Sequence, residues 1–358
     1  MPETVSISDK DWQDIIGDIK KQEAVLLIGP QFIKQNDVYL EVALHEYLRQ
    51  NNENEIVHYY ERDGIFLFDL PRNKVRVGRD ASDFYNTIKT DLSTLKSIVQ
   101  LPFHLIVSLN PDHLIAEAFA QYGVKHAFHY FQSRNRDNTS VDINTPSIQE
   151  PLIYNLFGSK EQDDSLVLDY DDVFELLQSI LGMASLPDKV LTPIRKARTY
   201  IFIGFAFDKW YSQLLIKFLC NSQSDKRISI NKSELDEETH SFVINHFKIQ
   251  FTGDQYDFLD ELYRRCQEAN LLRNLSEDSP CPEAAAINNQ VRLGNTAPAL
   301  DLLRTAAIGK DWKNQVIMLQ GAFNKLEDDK KTITDENYRI QLAKITAAIL
   351  ELAKMLCL

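Results

Sequence analysis

Over the first 270 positions, short unbroken apolar runs alternate with stretches whose apolar residues fall three and four apart. A bounded apolar run predicts a buried strand, and the three–four spacing predicts an amphipathic helix. Trp12, Ile15, Ile16 and Ile19 predict a helix over 12–20, and the run 24–28, closed by Gly29-Pro30, predicts a buried strand. A short helix follows over 42–49, then 65–68 as an edge strand or part of an insertion. Phe84, Ile88, Leu92, Leu95 and Ile98 carry helical spacing over 81–98. The run His104-Leu105-Ile106-Val107 is a strand leading into a helix from about 112 to 121.

Further on, strands are expected over 127–131, 152–156 and 200–205, with a last strand over 247–251. Helices are expected over 169–181, 210–220 and 258–266, and the Asn-rich stretch 133–150 reads as a surface loop. This alternation is that of an α/β fold: a Rossmann-like parallel sheet with helices on both faces. Residues 274–290 have no apolar period and read as a linker. Beyond them Leu300 and Leu303, then Val316, Leu319, Phe323 and Leu326, then Leu342, Ile345, Ile349, Leu352 and Leu356 predict a small all-α bundle. The expected organisation is a sheet domain over 1–272, a linker over 273–290 and a helical domain over 291–358.

Composition narrows the functional classes. The chain is 44% hydrophobic and 25% charged, as soluble globular proteins are, and its net charge of −13 argues against a broad nucleic-acid-binding face. No apolar run approaches the roughly 20 residues of a membrane span. The first residues lack the basic start and apolar stretch of a secretory signal, so a cytoplasmic location is expected. Cys220, Cys266, Cys281 and Cys357 are scattered, without a Cys-x-x-Cys pair, and are read as reduced and structural; no metal is expected.

The chemistry concentrates at Ser108-Leu109-Asn110-Pro111-Asp112, where an amide and a carboxylate stand two residues apart past the end of a buried strand. Open α/β sheets bind nucleotides at the carboxyl ends of their strands. Asn, Pro and Asp are also common turn residues, and Asp112 suits a helix N-cap.

Four segments in one order carry a resemblance: Leu27-Ile28-Gly29-Pro30, the Asn110 segment, Tyr154-Asn155-Leu156-Phe157-Gly158-Ser159, and Ile203-Gly204-Phe205-Ala206-Phe207-Asp208-Lys209-Trp210. Together they resemble the sirtuin-like NAD-binding domains of bacterial defence effectors. The resemblance implies catalytic roles for Asn110 and Asp112. It implies NAD contacts from Gly29, Ser108, Asn110, Asp112, Gly158, Ser159, Gly204 and Asp208. Departures are equally legible. Pro30 and Gln31 stand where the family's Gly-Ala-Gly turn continues, and Phe157 stands where the family has a His that serves as general base. The two Cys-x-x-Cys pairs of the lysine deacylases are missing, so that activity is not expected.

The tail, from Val291-Arg292-Leu293-Gly294 through 338–356, resembles the small helical effector-associated domains of bacterial conflict systems. That resemblance implies a partner protein, or a second copy of the chain, held through this module. Two functions stand open at this point. One is an antiviral effector that hydrolyses NAD to nicotinamide and ADP-ribose. The other is a catalytically silent nucleotide-binding or scaffold protein.

Overall fold

The computed structural model describes residues 7–35, 37–88, 90, 92–132, 142–181, 186–220, 226–230, 235–252, 255–275, 282–292, 295–307, 312–330 and 332–355. Its chain divides into two compact units, residues 1–118 with 125–274 and residues 119–124 with 275–358.

In the first unit α1 (Asp9–Lys20) precedes the central strand β1 (Ala24–Ile28). Two small antiparallel hairpins follow, β2 (Lys34–Gln35) with β3 (Val38–Tyr39), and β4 (His58–Tyr60) with β5 (Ile65–Leu67), on either side of α2 (Leu40–Asn51). Then come α3 (Pro71–Thr87), α4 (Lys96–Gln100), β6 (Leu105–Ser108), α5 (Leu114–Gln121), β7 (Ala127–Tyr130), β8 (Leu152–Asn155) and α6 (Tyr170–Ile180). The unit ends with α7 (Asp188–Lys196), β9 (Thr199–Ile203), α8 (Trp210–Leu219), β10 (Lys226–Ser229), α9 (Glu237–Phe247), β11 (Gln250–Phe251) and α10 (Gln255–Glu268).

The seven long-range strands form one parallel sheet in the order β11-β10-β9-β1-β6-β8-β7. Strands covered on both faces must be apolar throughout, which is why the sequence shows unbroken runs there. Every residue of β1, β6, β8 and β9 is buried. From β1 the chain steps to β6 on one side and later to β9 on the other. The strand order therefore reverses between β1 and β9, and the residues just past the carboxyl ends of β1 and β6, Pro30 and Leu109 to Pro111, line a small cavity.

Several elements differ from the sequence expectation. The spacing over 81–98 spans two helices: α3 starts at Pro71, whose missing N–H suits a first turn, and ends at Thr87. Of the two alternatives for 65–68 the insertion is the one found, since β5 pairs only with β4, outside the main sheet. The pattern did not announce α7, β10 or α9. α7 contains Pro193, β10 opens on Lys226-Arg227, and α9 buries only Val243 and Phe247. Residues 133–141 of the expected loop lie outside the described residues, and 142–150 are irregular with Ile143 in the core.

The second unit is helical: α11 (Pro282–Arg292), α12 (Thr296–Ala306), α13 (Lys313–Asp329) and α14 (Asp335–Lys354). α11 occupies part of the stretch read as a linker. Its alanines favour helix, and Ala284 and Ile287 pack with Leu300, Leu303, Val316, Phe323 and Ile349. Among the described residues no helix is long and apolar enough to cross a membrane.

Candidate functional site

The bend after β6 is held from several directions. The Leu109 N–H extends the ladder to the Ile28 carbonyl at 2.8 Å, and the Asn110 N–H donates to Ser108 Oγ at 3.0 Å. The turn after β8 grips the same bend. The Lys160 N–H donates to the Pro111 carbonyl at 2.8 Å, Asn155 Nδ2 to the Asp112 carbonyl at 2.7 Å, and His113 Nε2 lies 2.7 Å from Ser159 Oγ. Asp112 Oδ1 accepts the Leu114 N–H at 3.0 Å and so starts α5, the helix-capping role open to it from sequence. Its Oδ2 is buried without a hydrogen-bond partner, and burial pushes the carboxyl up to about 6.

Facing this bend are the turns after β1 and β9, which meet backbone to backbone. The Gly29 N–H donates to the Ile203 carbonyl at 2.8 Å and the Gln31 N–H to the Gly204 carbonyl at 2.9 Å, while Pro30 has no N–H. Gly204 has φ +61, and a Cβ there would lie 2.5 Å from the Gln31 carbonyl carbon. A phosphate-binding turn works by aiming free amides at the ligand. At positions 29 and 31 those amides are spent on β9.

Asn110 Nδ2 donates to the Gly29 carbonyl at 3.3 Å, and the residue lines a cavity of about 50 Å³. Phe157, Tyr211, Tyr85, His45 and Glu41 close that cavity. Since a water occupies roughly 30 Å³ of liquid, the space suits very few waters. A buried ion pair between Lys209 and Glu41 sits beside it, and Tyr59 Oη lies 2.7 Å from His45 Nδ1.

Of the eight residues marked by the resemblance, Asn110 alone lines this cavity. Gly29 and Gly204 hold the turns after β1 and β9 together, as described above, and Ser108 is a support for the bend. Asp112 is buried behind it, and Asp208 is part-exposed in the turn before α8. Gly158 has φ +88 and lies against the Ser165 backbone, and Ser159 is wholly buried. Ser159, His113 and Glu161 stand in the order of a nucleophile, a base and an acid, with His113 Nδ1 3.6 Å from the Glu161 carboxylate. The hydroxyl accepts the Glu161 N–H at 3.2 Å and is 0% exposed, so the trio fastens the turn and meets no substrate.

None of the histidines on or beside the sheet replaces the base that Phe157 lacks. His104 sits at the far end of β6, His113 is committed to Ser159, and neither His126 nor His129 lines the cavity. The histidine that does line it, His45, escaped the sequence reading. It lies on α2 one turn after Glu41, beside the buried stripe Leu40, Leu44 and Leu48, and only that i, i+4 pair hinted at it. Burial lowers His45 to about 4, with the Lys209 charge adding to the effect against Glu41.

Burial also lowers His104 and His113 to about 4. For such bases the unfolded chain binds more protons between pH 4 and 6.5, so stability is full above 6.5 and lost as pH falls toward 4. The urea midpoint is therefore expected to fall across that window, and to fall less steeply in His104→Gln.

A whole NAD molecule does not fit these residues as they stand. The cavity is an order of magnitude below the several hundred Å³ typical of ligand sites, and the first turn offers no free amide at 29 or 31. Among the described residues no group of three or more His, Cys, Asp or Glu side chains is placed to hold a metal ion.

Comparison with known families places the model of the SIR2-like domain on residues 104–250 and that of effector-associated domain 11 on residues 282–356. The first match opens at the strand that carries Asn110 and leaves β1 and Gly29 outside it. The second opens at the first residue of α11. No curated protein matches the chain.

Proposed function

The chain carries a SIR2-like domain followed by an effector-associated domain 11, and from that premise we propose that it is a defence-type effector component that responds to an NAD-related nucleotide without hydrolysing it. SIR2-like domains bind NAD-related ligands, and effector-associated domains serve protein interaction. In this reading the helical domain recruits a partner protein or a further copy of the chain.

The observation that carries the reading is Phe157 on the wall of the Asn110 cavity. A phenyl ring accepts no proton, and general base help is worth about 10²–10⁴ in rate. His45 is the nearest substitute by position. A group held near 4 is a weak base at neutral pH, and its Nδ1 is taken up by Tyr59.

Calorimetry with ADP-ribose and chromatography of NAD incubations test this on the purified full chain. Binding that weakens in Asn110→Ala, with no nicotinamide released over hours, is the expected result. A second reading, NAD hydrolysis, rests on Asn110 lining the cavity and on the buried, half-partnered carboxylate of Asp112 behind it. Nicotinamide release that disappears in Asn110→Ala would establish it and overturn ours.

A further inference from the structure

The β4–β5 hairpin separates two spaces of very different size. Its inner side, Gly64, Ile65 and Phe66, walls the 50 Å³ cavity that holds Asn110. Its outer side, His58 to Asp63, walls an open groove of about 1050 Å³ against Glu46, Arg49 and Glu53. The partition is thin, two strands of three residues joined by a four-residue turn.

We infer that the turn of this hairpin, residues 61–64, is a lid: shut, it seals the Asn110 cavity; displaced, it joins cavity and groove into a site large enough for a nucleotide. The inference rests on the nucleotide reading above and supplies what that reading lacks, which is room. Nucleotide-sized ligands need several hundred Å³, which the groove provides and the cavity alone does not.

The way the hairpin is fastened fits a part that opens. It shares no ladder with the central sheet, and an isolated two-stranded hairpin is marginally stable. Its base is anchored, since Phe66 is buried and its N–H donates to the Leu168 carbonyl at 2.9 Å. The tip is clasped instead by two hydroxyls: Tyr170 Oη donates to Asp63 Oδ2 at 2.7 Å, and Tyr211 Oη to the Asp63 carbonyl at 3.0 Å. Tyr59, next to the tip, contacts His45 inside the cavity and also lines the groove.

The tip also covers charge. Gly64 packs on the Lys209–Glu41 pair and on His45, so closely that a Cβ there would lie 2.9 Å from Lys209 Nζ. Lifting the turn uncovers that ion pair beside a groove lined by Glu46, Glu53, Glu61 and Asp63 together with Arg49 and Arg62, Arg49 lying 3.5 Å from the Glu61 carboxylate.

Amide hydrogen exchange on the full chain tests the lid, with Tyr170→Phe removing one clasp hydroxyl and keeping the ring. Asp63→Ala removes the acceptor of the same bond from the other side. Losing one neutral hydrogen bond predicts roughly 3- to 10-fold faster exchange over 60–66 in both variants, with β6 and β9 unchanged. If opening precedes binding, ADP-ribose affinity rises by the same factor. Equal exchange in wild type and variants, or acceleration spread over the whole sheet domain, overturns the lid. Faster exchange at the tip with ADP-ribose neither bound nor slowing it keeps the lid and removes the nucleotide reading.

Discussion

Gly29→Ala is expected to cost the sheet domain more than about 4 kcal/mol, enough to leave it largely unfolded given typical stabilities of about 5–15 kcal/mol. A Cβ at position 29 would stand 2.2 Å from the Gly204 carbonyl oxygen and 2.5 Å from Phe205 Cα, and both are backbone atoms that cannot turn aside. The turn after β9 cannot back away without breaking the hydrogen bonds from the Gly29 and Gln31 N–H groups to the Ile203 and Gly204 carbonyls. Gly17→Ala is the control. Nothing lies within 4 Å of a Cβ there, and a helix-interior Gly→Ala change is neutral or stabilising. Thermal melts followed by circular dichroism should show Gly29→Ala lowered by about 10 °C or more, or insoluble. A melt unchanged within a few degrees would mean the β1 and β9 turns stand apart. The consequence reaches function, because the contact that demands a glycine here is protein against protein. A glycine at this position, which the resemblance assigns to phosphate, is used to close the sheet.

Asp112→Asn is expected to stabilise the chain at neutral pH. The carboxyl is raised from 3.8 to about 6, first by burial, and is further raised by the nearby Glu117 against the Leu114 N–H and Lys160. With the folded value above the unfolded one, the folded state binds more protons between pH 3.8 and 6, so stability falls as pH rises through that window. Above it the penalty is complete, at about 3 kcal/mol. An asparagine keeps an oxygen for the Leu114 N–H, and its amide left without an acceptor returns about 1 kcal/mol of cost. The expected gain is therefore about 2 kcal/mol at pH 7.5 by urea unfolding, vanishing below about pH 4. A loss of stability in Asp112→Asn at neutral pH would show that the second oxygen has a partner. The buried carboxylate at the carboxyl edge of the sheet is thus held at a cost in stability.

The strands and the bend were legible in the sequence for one reason: burial on both faces leaves only apolar residues, so β1, β6, β8 and β9 announce themselves as runs. The helices α1, α2, α6 and α8 showed their stripes as well. Strand β10 and helices α7 and α9 did not, because Lys226-Arg227, Pro193 and the polar face of α9 are tolerated only through contacts made elsewhere in the chain. α11 was read as linker because a helix of alanines and asparagines has little periodic signal until α12 and α14 cover Ala284 and Ile287.

Residue types and their order determined that Asn110 stands just past a strand, that Asp112 precedes a helix and that no histidine stands at 157. These are local facts, set by neighbours within a few positions. Whether the amides of Gly29 and Gln31 are free, whether Asp112 has a partner, and which histidine lines the cavity with Asn110 were decided by segments far away in the chain. Gly204 comes from 175 positions beyond Gly29, and His45 arrives from a helix that lies before the strand of Asn110. Hydrogen bonds and cavity walls form between surfaces brought together by folding, and no local pattern encodes which surfaces those are.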